Sequence, residues 1–367
     1  MENYYELEDI TLIPSVTNNG HLGNTADYSV TDPNDQTGYA RTLPIFTSPS
    51  SAIIGKENIK DFVDHGIKPV IPACDPLTER LELCQWVFCA FSMNEVKSEF
   101  LNNRGRIGGN SQYHICIDSG NGHDQGLINL CGDLKRMYGA QVIVMGGNIG
   151  TPEVYSQYAR AGFDYMRVGI ASGSQVDRGK YGFHYPMASL LEGIKNFKKT
   201  GGITLPKQVK IVADGGITCP SDIIKAIALG ADYVMIGRDF ARVIEAYGPI
   251  YKCSKTKSGD FVKDEIDPST VRGMDGVKAK LNGFSRMYYG NTSPEARAMR
   301  AGFQDVESWR RSKPRIKVSD TAWEWIEINA NLDEWCKDFE ECAYYAFMMT
   351  GTRNWNDFKN VIRYGVL

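Results

Sequence analysis

Short runs of apolar, β-branched residues recur along this chain, with helix-like stretches between most of them. The runs are Pro44-Ile-Phe-Thr47, Pro69-Val-Ile71, Trp86-Val-Phe-Cys-Ala-Phe91, His114-Ile-Cys-Ile-Asp118, Val142-Ile-Val-Met-Gly146, Tyr165-Met-Arg-Val-Gly169, Val209-Lys-Ile-Val-Ala-Asp214 and Tyr233-Val-Met-Ile-Gly237. Several are apolar throughout rather than alternating, as expected of parallel strands covered by helices. Helix punctuation falls between them. Thr151-Pro152-Glu153 offers an N-cap, a first-turn proline and an early acid before a stretch that stops at Gly162, and Thr218-Cys-Pro-Ser-Asp222 opens a second that ends near Gly230. Eight strands in βα alternation predict an α/β fold of the closed (β/α)8 TIM-barrel type, with a doubly wound open sheet as the alternative that the same alternation permits. Gly105 to Gly109 lacks the spacing and the following helix of a dinucleotide fingerprint.

The rhythm breaks between Tyr247 and Ser319, a polar region with Lys, Ser and Thr clustered over Lys252–Lys257. An insertion of that length is expected to be a flap after the eighth strand or a disordered segment. Beyond it, Thr321-Ala-Trp-Glu-Trp-Ile326 and Leu332 to Met349 predict amphipathic helices that close the barrel, so that residues 1–367 form a single barrel domain. No internal repeat is apparent.

Composition narrows the partners. A net charge of -3 with scattered Lys and Arg leaves no basic stripe for a nucleic-acid polymer. No apolar run approaches the ~20 residues of a membrane span. The nine cysteines sit mostly in apolar segments such as Cys84-Gln-Trp-Val-Phe-Cys89, a usage that suggests reduced thiols and a cytoplasmic setting. No Cys/His spacing supports a metal site.

The candidate chemistry lies at strand ends, because a barrel of this type builds its site from the loops that follow its strands and often cradles phosphate after the seventh and eighth. Those loops are Asp214-Gly215-Gly216 and Gly237-Arg238. Paired glycines let backbone N–H groups approach an anion, and a carboxylate at a strand tip accepts hydrogen bonds from a diol. Read alone, the glycine pair is better explained as the turn of a strand into a helix. After the sixth strand, Met166-Arg-Val-Gly-Ile-Ala-Ser-Gly-Ser-Gln-Val-Asp177 runs into a glycine- and serine-rich loop containing Ser174.

That stretch resembles the active-site loop of the IMP dehydrogenase/GMP reductase family, roughly G-I-G-P-G-S-[IV]-C-T-T. Other segments are similar in the same order: Leu7-Glu-Asp-Ile-Thr-Leu-Ile-Pro14 to the entry strand, Asp118-Ser-Gly-Asn-Gly-His123 to the D-x-A-[NH]-G-[HY] turn, and Gly146-Gly-Asn148 to the A-G-N turn. Ala213-Asp-Gly-Gly-Ile-Thr-Cys-Pro220 resembles the D-G-G loop, closest to GMP reductases, Ala231 to Gly237 the following strand, and Arg272-Gly-Met274 the base-binding R-G-M. The resemblance implies a purine nucleoside monophosphate as ligand, NAD(P)(H) as cofactor and a homotetramer. It would put Ser174, Gly215, Gly216 and Gly237 on the 5′-phosphate, Asp214 on the ribose, and Gly273 and Met274 against the purine. Asp118, Asn148 and Arg167 would stand near the reacting centre, with Ser119 and Gly120 continuing the nicotinamide turn. Arg286, in Ser285-Arg-Met-Tyr-Tyr289, would help activate water.

The departures bear on the reaction. The family's nucleophilic cysteine falls on Val176, the reductases' His-Lys pair is Pro72-Ala73, Asp177-Arg178 replaces Thr-Thr, and Arg238 replaces a small residue beside the phosphate. An arginine there can bind a phosphate bidentately or fill the anion site and exclude one. Cys74 and Cys219 are candidate substitute nucleophiles, and His123 is a candidate acid–base group, whereas His114 precedes an apolar strand and reads as structural. Three readings follow: an NAD(P)-linked purine nucleotide oxidoreductase with altered chemistry, a non-catalytic nucleotide-binding relative, and a flavin-dependent phosphate-binding barrel.

Overall fold

Eight of the apolar runs become consecutive parallel strands, and their order closes on itself. In the computed structural model, residues 4–17, 25–31, 42–109, 111–173, 182–200, 208–255, 261–289, 298, 306–312 and 324–367 are described. A first strand, β1 (Ile10–Ile13), lies outside the barrel. The barrel strands are β2 (Ile45–Thr47), β3 (Val70–Ile71), β4 (Phe88–Phe91), β5 (Tyr113–Asp118), β6 (Val142–Ile149), β7 (Tyr165–Val168), β8 (Lys210–Asp214) and β9 (Tyr233–Ile236). They form one sheet in the order β2-β9-β8-β7-β6-β5-β4-β3. A parallel bridge between Phe46 and Lys68 joins the two ends, with the Thr47 N–H donating to the Lys68 carbonyl at 2.9 Å. The open-sheet alternative is thereby excluded.

The side-chain period of two along each strand sorts residues between two cores. Phe46, Val70, Phe88, Ala90, Cys116, Met145, Tyr165, Val212 and Tyr233 fill the barrel interior. Phe46 meets Phe88 and Tyr165 edge to face, with centroids 5.7 and 5.6 Å apart, the offset geometry that favours aromatic pairs beyond their buried area. His114 joins this interior stack, 5.2 Å from Phe88, as expected of a structural histidine. The alternate residues, among them Ile115, Ile117, Val144 and Ile211, face the helices through Leu127, Leu134, Tyr158, Leu190 and Ile227.

The predicted helix signals operate locally. Pro152 opens a short 3-10 turn that continues as the helix Tyr155–Ala161 and stops at Gly162, whose φ of 87° a glycine adopts without strain. The helix Pro220–Leu229 ends at Gly230 with φ 117°.

The described part of the insertion contributes three strands to an antiparallel sheet, with short helices Pro268–Thr270, Gly276–Leu281 and Val306–Ser312 beside them, and a fourth strand follows it. β10 (Ile250–Lys255), β11 (Phe261–Ile266), β12 (Phe284–Tyr288) and β13 (Glu324–Glu327) pair antiparallel in the order β11-β10-β12-β13. The expectation of a helix around Thr321–Ile326 is corrected here, because Glu324–Glu327 is a strand in register with β12, Trp325 opposite Met287. The alternation Trp-Glu-Trp-Ile is a strand's period, and pairing with β12 satisfies its backbone. The helix Leu332–Thr350 is present, opened by an Asn331–Glu334 capping box. β14 (Arg363–Val366) returns to pair antiparallel with β1. Within Tyr344–Met349, Phe347 is fully buried and packs against Tyr28 and Trp355, whereas Tyr345 is 56% exposed. Tyr344, Ala346 and Met348 of the same stretch are partly buried against the core.

Candidate functional site

Strand ends β5 to β9 bring the polar residues together at one mouth of the barrel. Arg167, on β7, is 6% exposed. Its Nη1 donates to the Asp118 carboxylate at 3.0 Å, and its Nε and Nη2 donate to Asp214 Oδ2 at 3.1 and 2.8 Å. Asn148 Nδ2, from β6, donates to the same Asp214 oxygen at 2.7 Å and to the Gly169 carbonyl at 3.1 Å. Three donors therefore converge on Asp214 Oδ2, and among the described residues none donates to Oδ1. Burial works against the Arg167 charge, but Asp214, the Cys116 sulfur and Asp118 outweigh it and hold the guanidinium charged.

Two loops meet beside this network. Gly215 has φ 103°, and a Cβ there would lie 2.8 Å from the Ser172 carbonyl carbon and the Gly173 nitrogen. Glycine at 215 thus meets a backbone requirement as well as a steric one, since the loop after β8 must lie against the loop after β7. Gly216, with φ 74°, has no neighbour closer than 3.7 Å to such a Cβ. Ser174, Val176, Asp177 and Arg178 lie outside the described residues. Among the described residues nearby, His184 Nδ1 sits 3.2 Å from the Ile170 carbonyl and its Nε2 2.6 Å from Glu6. His184 and Glu6 hold no motif and meet only through the fold, so no local signal marks them.

The turn after β5 packs on the loop after β6. Asn148 N donates to the Ser119 carbonyl at 3.2 Å and Gly122 N to the Asn148 carbonyl at 2.8 Å. Gly120 is exposed, with nothing within 4 Å of where a Cβ would be. The Gly150 N–H donates to His123 Nε2 at 2.9 Å, which leaves Nδ1 to carry the proton of the neutral ring. Burial pulls the His123 pKa down, only partly countered by Glu153.

Other expected residues stand elsewhere. Arg286 is fully buried, its guanidinium donating to the carbonyls of Gly248, Ala241, Val243 and Ile244. It clamps the flap sheet to the loop after β9 instead of facing the mouth, because those carbonyls converge where no secondary structure pairs them. Gly273 is exposed, with nothing within 4 Å of where a Cβ would be. Met274 packs with Ile244, Ile250, Val271 and Phe284 in a satellite core, and the preceding Arg272 pairs with Asp61 at 2.8 Å. What the flap does bring to the mouth is Tyr288, on the same strand face as Phe284 and Arg286. A Cβ at Gly237 would fall onto the Tyr288 hydroxyl. Burial pushes that phenol up, with Asp214 and Glu324 adding to the effect, so it stays a proton donor. The period-two burial of Phe284, Arg286 and Tyr288 was the signal that could have found it. Arg238 Nε pairs with Glu324 of β13 at 2.7 Å.

Cys74 is half-buried, 3.9 Å from the Asp75 carboxylate, and Cys219 is exposed beside Ser221. Burial raises the Asp75 carboxyl to about 6, with Arg80 opposing. A carboxyl raised in the folded state binds its proton more tightly there than when unfolded, so stability declines as pH rises from the ordinary carboxylate range to about 6. Asp75→Asn is expected to flatten that part of the profile in urea unfolding between pH ~4 and ~6.5; an unchanged slope would refute the assignment. No group of three or more His, Cys, Asp or Glu that could hold a metal exists among the described residues, and no helix there is long and apolar enough to cross a membrane.

Residues 105–306 match the IMP dehydrogenase / GMP reductase domain. The chain is 29% identical over 285 residues to the GMP reductase of Bacillus subtilis, covering 72% of this chain and 81% of that protein. It is 30% identical over 189 residues to the inosine-5'-monophosphate dehydrogenase of Chlorobaculum tepidum, covering 50% of this chain but spanning only 34% of that longer protein. The crystal structure of inosine 5' monophosphate dehydrogenase from Legionella pneumophila superposes with a TM-score of 0.68 at 19% identity, over 100% of this chain and 98% of that one. That likeness is one of fold.

Proposed function

The chain belongs to the IMP dehydrogenase/GMP reductase family, and we propose that its strand-end site binds a purine nucleoside monophosphate and works with NAD(P)(H) as an oxidoreductase without a cysteine adduct. The observation that carries this reading is the Asp118–Arg167–Asp214–Asn148 network set beside the facing loops at Ser172–Gly173 and Gly215–Gly216. Backbone N–H groups in glycine loops suit a phosphate, and Asp214 Oδ1, to which none of the described residues donates, suits a ribose hydroxyl. Asn148 and Arg167 hold Asp214 in place for that contact.

The turn at Asp118, Ser119 and Gly120 has the room and polarity to hold a nicotinamide ring, since nothing crowds Gly120 and Asp118 presents a carboxylate beside it. The cofactor, when bound, supplies or accepts hydride. Asp118 is oriented by Arg167, and His123, neutral with its proton on Nδ1, can donate a hydrogen bond from the neighbouring turn. A second reading, a nucleotide-binding relative without turnover, is favoured by Val176 and by the pairing of Arg238 with Glu324. A symmetric tetramer is expected from the family alone.

A thermal-shift series with IMP, GMP and their deoxy forms tests the binding reading. At least one is expected to raise the melting temperature, and Asp214→Ala is expected to weaken its binding by ~1.5–3 kcal/mol, because a charged acceptor is removed from a partly dry site. If none shifts the transition, the purine reading is wrong; if Asp214→Ala binds as tightly as the parent, the ribose contact is wrong.

A further inference from the structure

Arg238 follows Gly237 directly at the end of β9, in the loop assigned above to the phosphate. Only its Nε is engaged among the described residues, at 2.7 Å from Glu324 Oε1, and no hydrogen bond uses either Nη. Glu324 comes from β13, the edge strand of the flap sheet, whose inner partner β12 carries Tyr288 onto Gly237. The flap therefore sets a carboxylate and a phenol against the loop where a phosphate would sit. A carboxylate on a guanidinium is the protein's nearest equivalent of a phosphate there, since both are anions that present a pair of oxygen acceptors to the same N–H groups.

We propose that Glu324 is an internal competitor for the anion site: it occupies Arg238 in the resting protein, and a bound phosphate must displace it, releasing the β13 edge from the barrel. The proposal rests on the nucleotide reading of the preceding subsection, with the phosphate reaching the Gly237–Arg238 loop as the sequence analysis expects, and adds its regulation. A phosphate taking Nε and one Nη side-on must evict the carboxylate. One taking both Nη end-on lies close to the Glu324 charge and is repelled by it. Either way the flap's position and the occupancy of the site are coupled, and a nucleotide would loosen β13 as it binds.

The test uses the full chain with GMP and, separately, inorganic phosphate as probes. Glu324→Gln keeps the size of the side chain and removes its charge. It is expected to bind GMP about three- to five-fold more tightly than the parent at low salt, in line with a half-exposed ion pair, and the gain should shrink at ~0.5 M salt. On an Arg238→Ala background the same substitution should change nothing. A parent that binds GMP while Glu324→Gln binds it equally or more weakly overturns the competition and leaves the nucleotide reading intact. If neither protein binds GMP or phosphate, the nucleotide reading fails and the competition fails with it. Hydrogen exchange then decides the latch separately: Arg238→Ala should speed exchange of the Glu324–Glu327 amides several-fold, and unchanged protection removes the latch as well.

Discussion

Arg167→Leu is expected to lower the unfolding free energy by ~3–5 kcal/mol, the cost typical of stripping one partner from a buried ion network. The guanidinium is nearly inaccessible and is the cation shared by Asp118 and Asp214. Without it the two carboxylates at adjacent strand ends would lose their common counter-charge in a poorly hydrated mouth. Among the described residues, Asn148 Nδ2 alone would remain on Asp214. Urea unfolding at neutral pH measures the loss, and the variant should also lose nucleotide-induced thermal stabilisation, because Asp214 would no longer be held in place. The Arg167→Leu/Asp214→Asn double variant should be less destabilised than the two single losses summed, since removing one carboxylate relieves what removal of the cation exposes. A loss under ~1 kcal/mol would mean that water, rather than Arg167, neutralises these carboxylates.

Turnover of IMP with NAD, and of GMP with NADPH, is expected to lie several orders of magnitude below ~1 per second, because the residues that activate the purine in the family pattern are replaced here. Val176 stands where the resemblance puts the nucleophilic sulfur, and Ala73 where it puts the reductases' lysine. Positioning by the Asp118–Arg167–Asp214–Asn148 network recovers only part of such a loss. Val176→Cys by itself is not expected to restore activity, since the neighbouring Asp177 carboxylate disfavours a thiolate. Separate spectrophotometric assays at the nicotinamide band decide the point. Rates near ~1 per second in either direction would show that another group supplies the nucleophile, with Cys74, at the end of β3, the first to replace.

The barrel was legible because its signals are local. Each parallel strand is buried on both faces and so reads as an unbroken apolar run, and the helix starts and stops at Pro152, Gly162, Pro220 and Gly230 act within a few residues of themselves. The strand-end positions of Asp118, Asn148, Arg167 and Asp214 follow from those runs, since a residue at the end of a barrel strand faces the mouth. The sequence by itself thus determined the scaffold, the mouth and the polar residues available there. What those residues bond to was decided by the tertiary structure, which sets three donors on one oxygen of Asp214 and ties His184 to Glu6 across 178 positions of chain. The flap was the least legible part, because its strands pair antiparallel over long separations and are exposed on one face. Their short alternating pattern in Glu324–Glu327 is ambiguous until β12 is beside it. Only that pairing buries Arg286 among four carbonyls, draws Met274 into a satellite core, and presents Tyr288 and Glu324 to Gly237 and Arg238. Local patterns carry burial, whereas long-range partners are chosen by the closing of the sheet, and no single segment of chain encodes them.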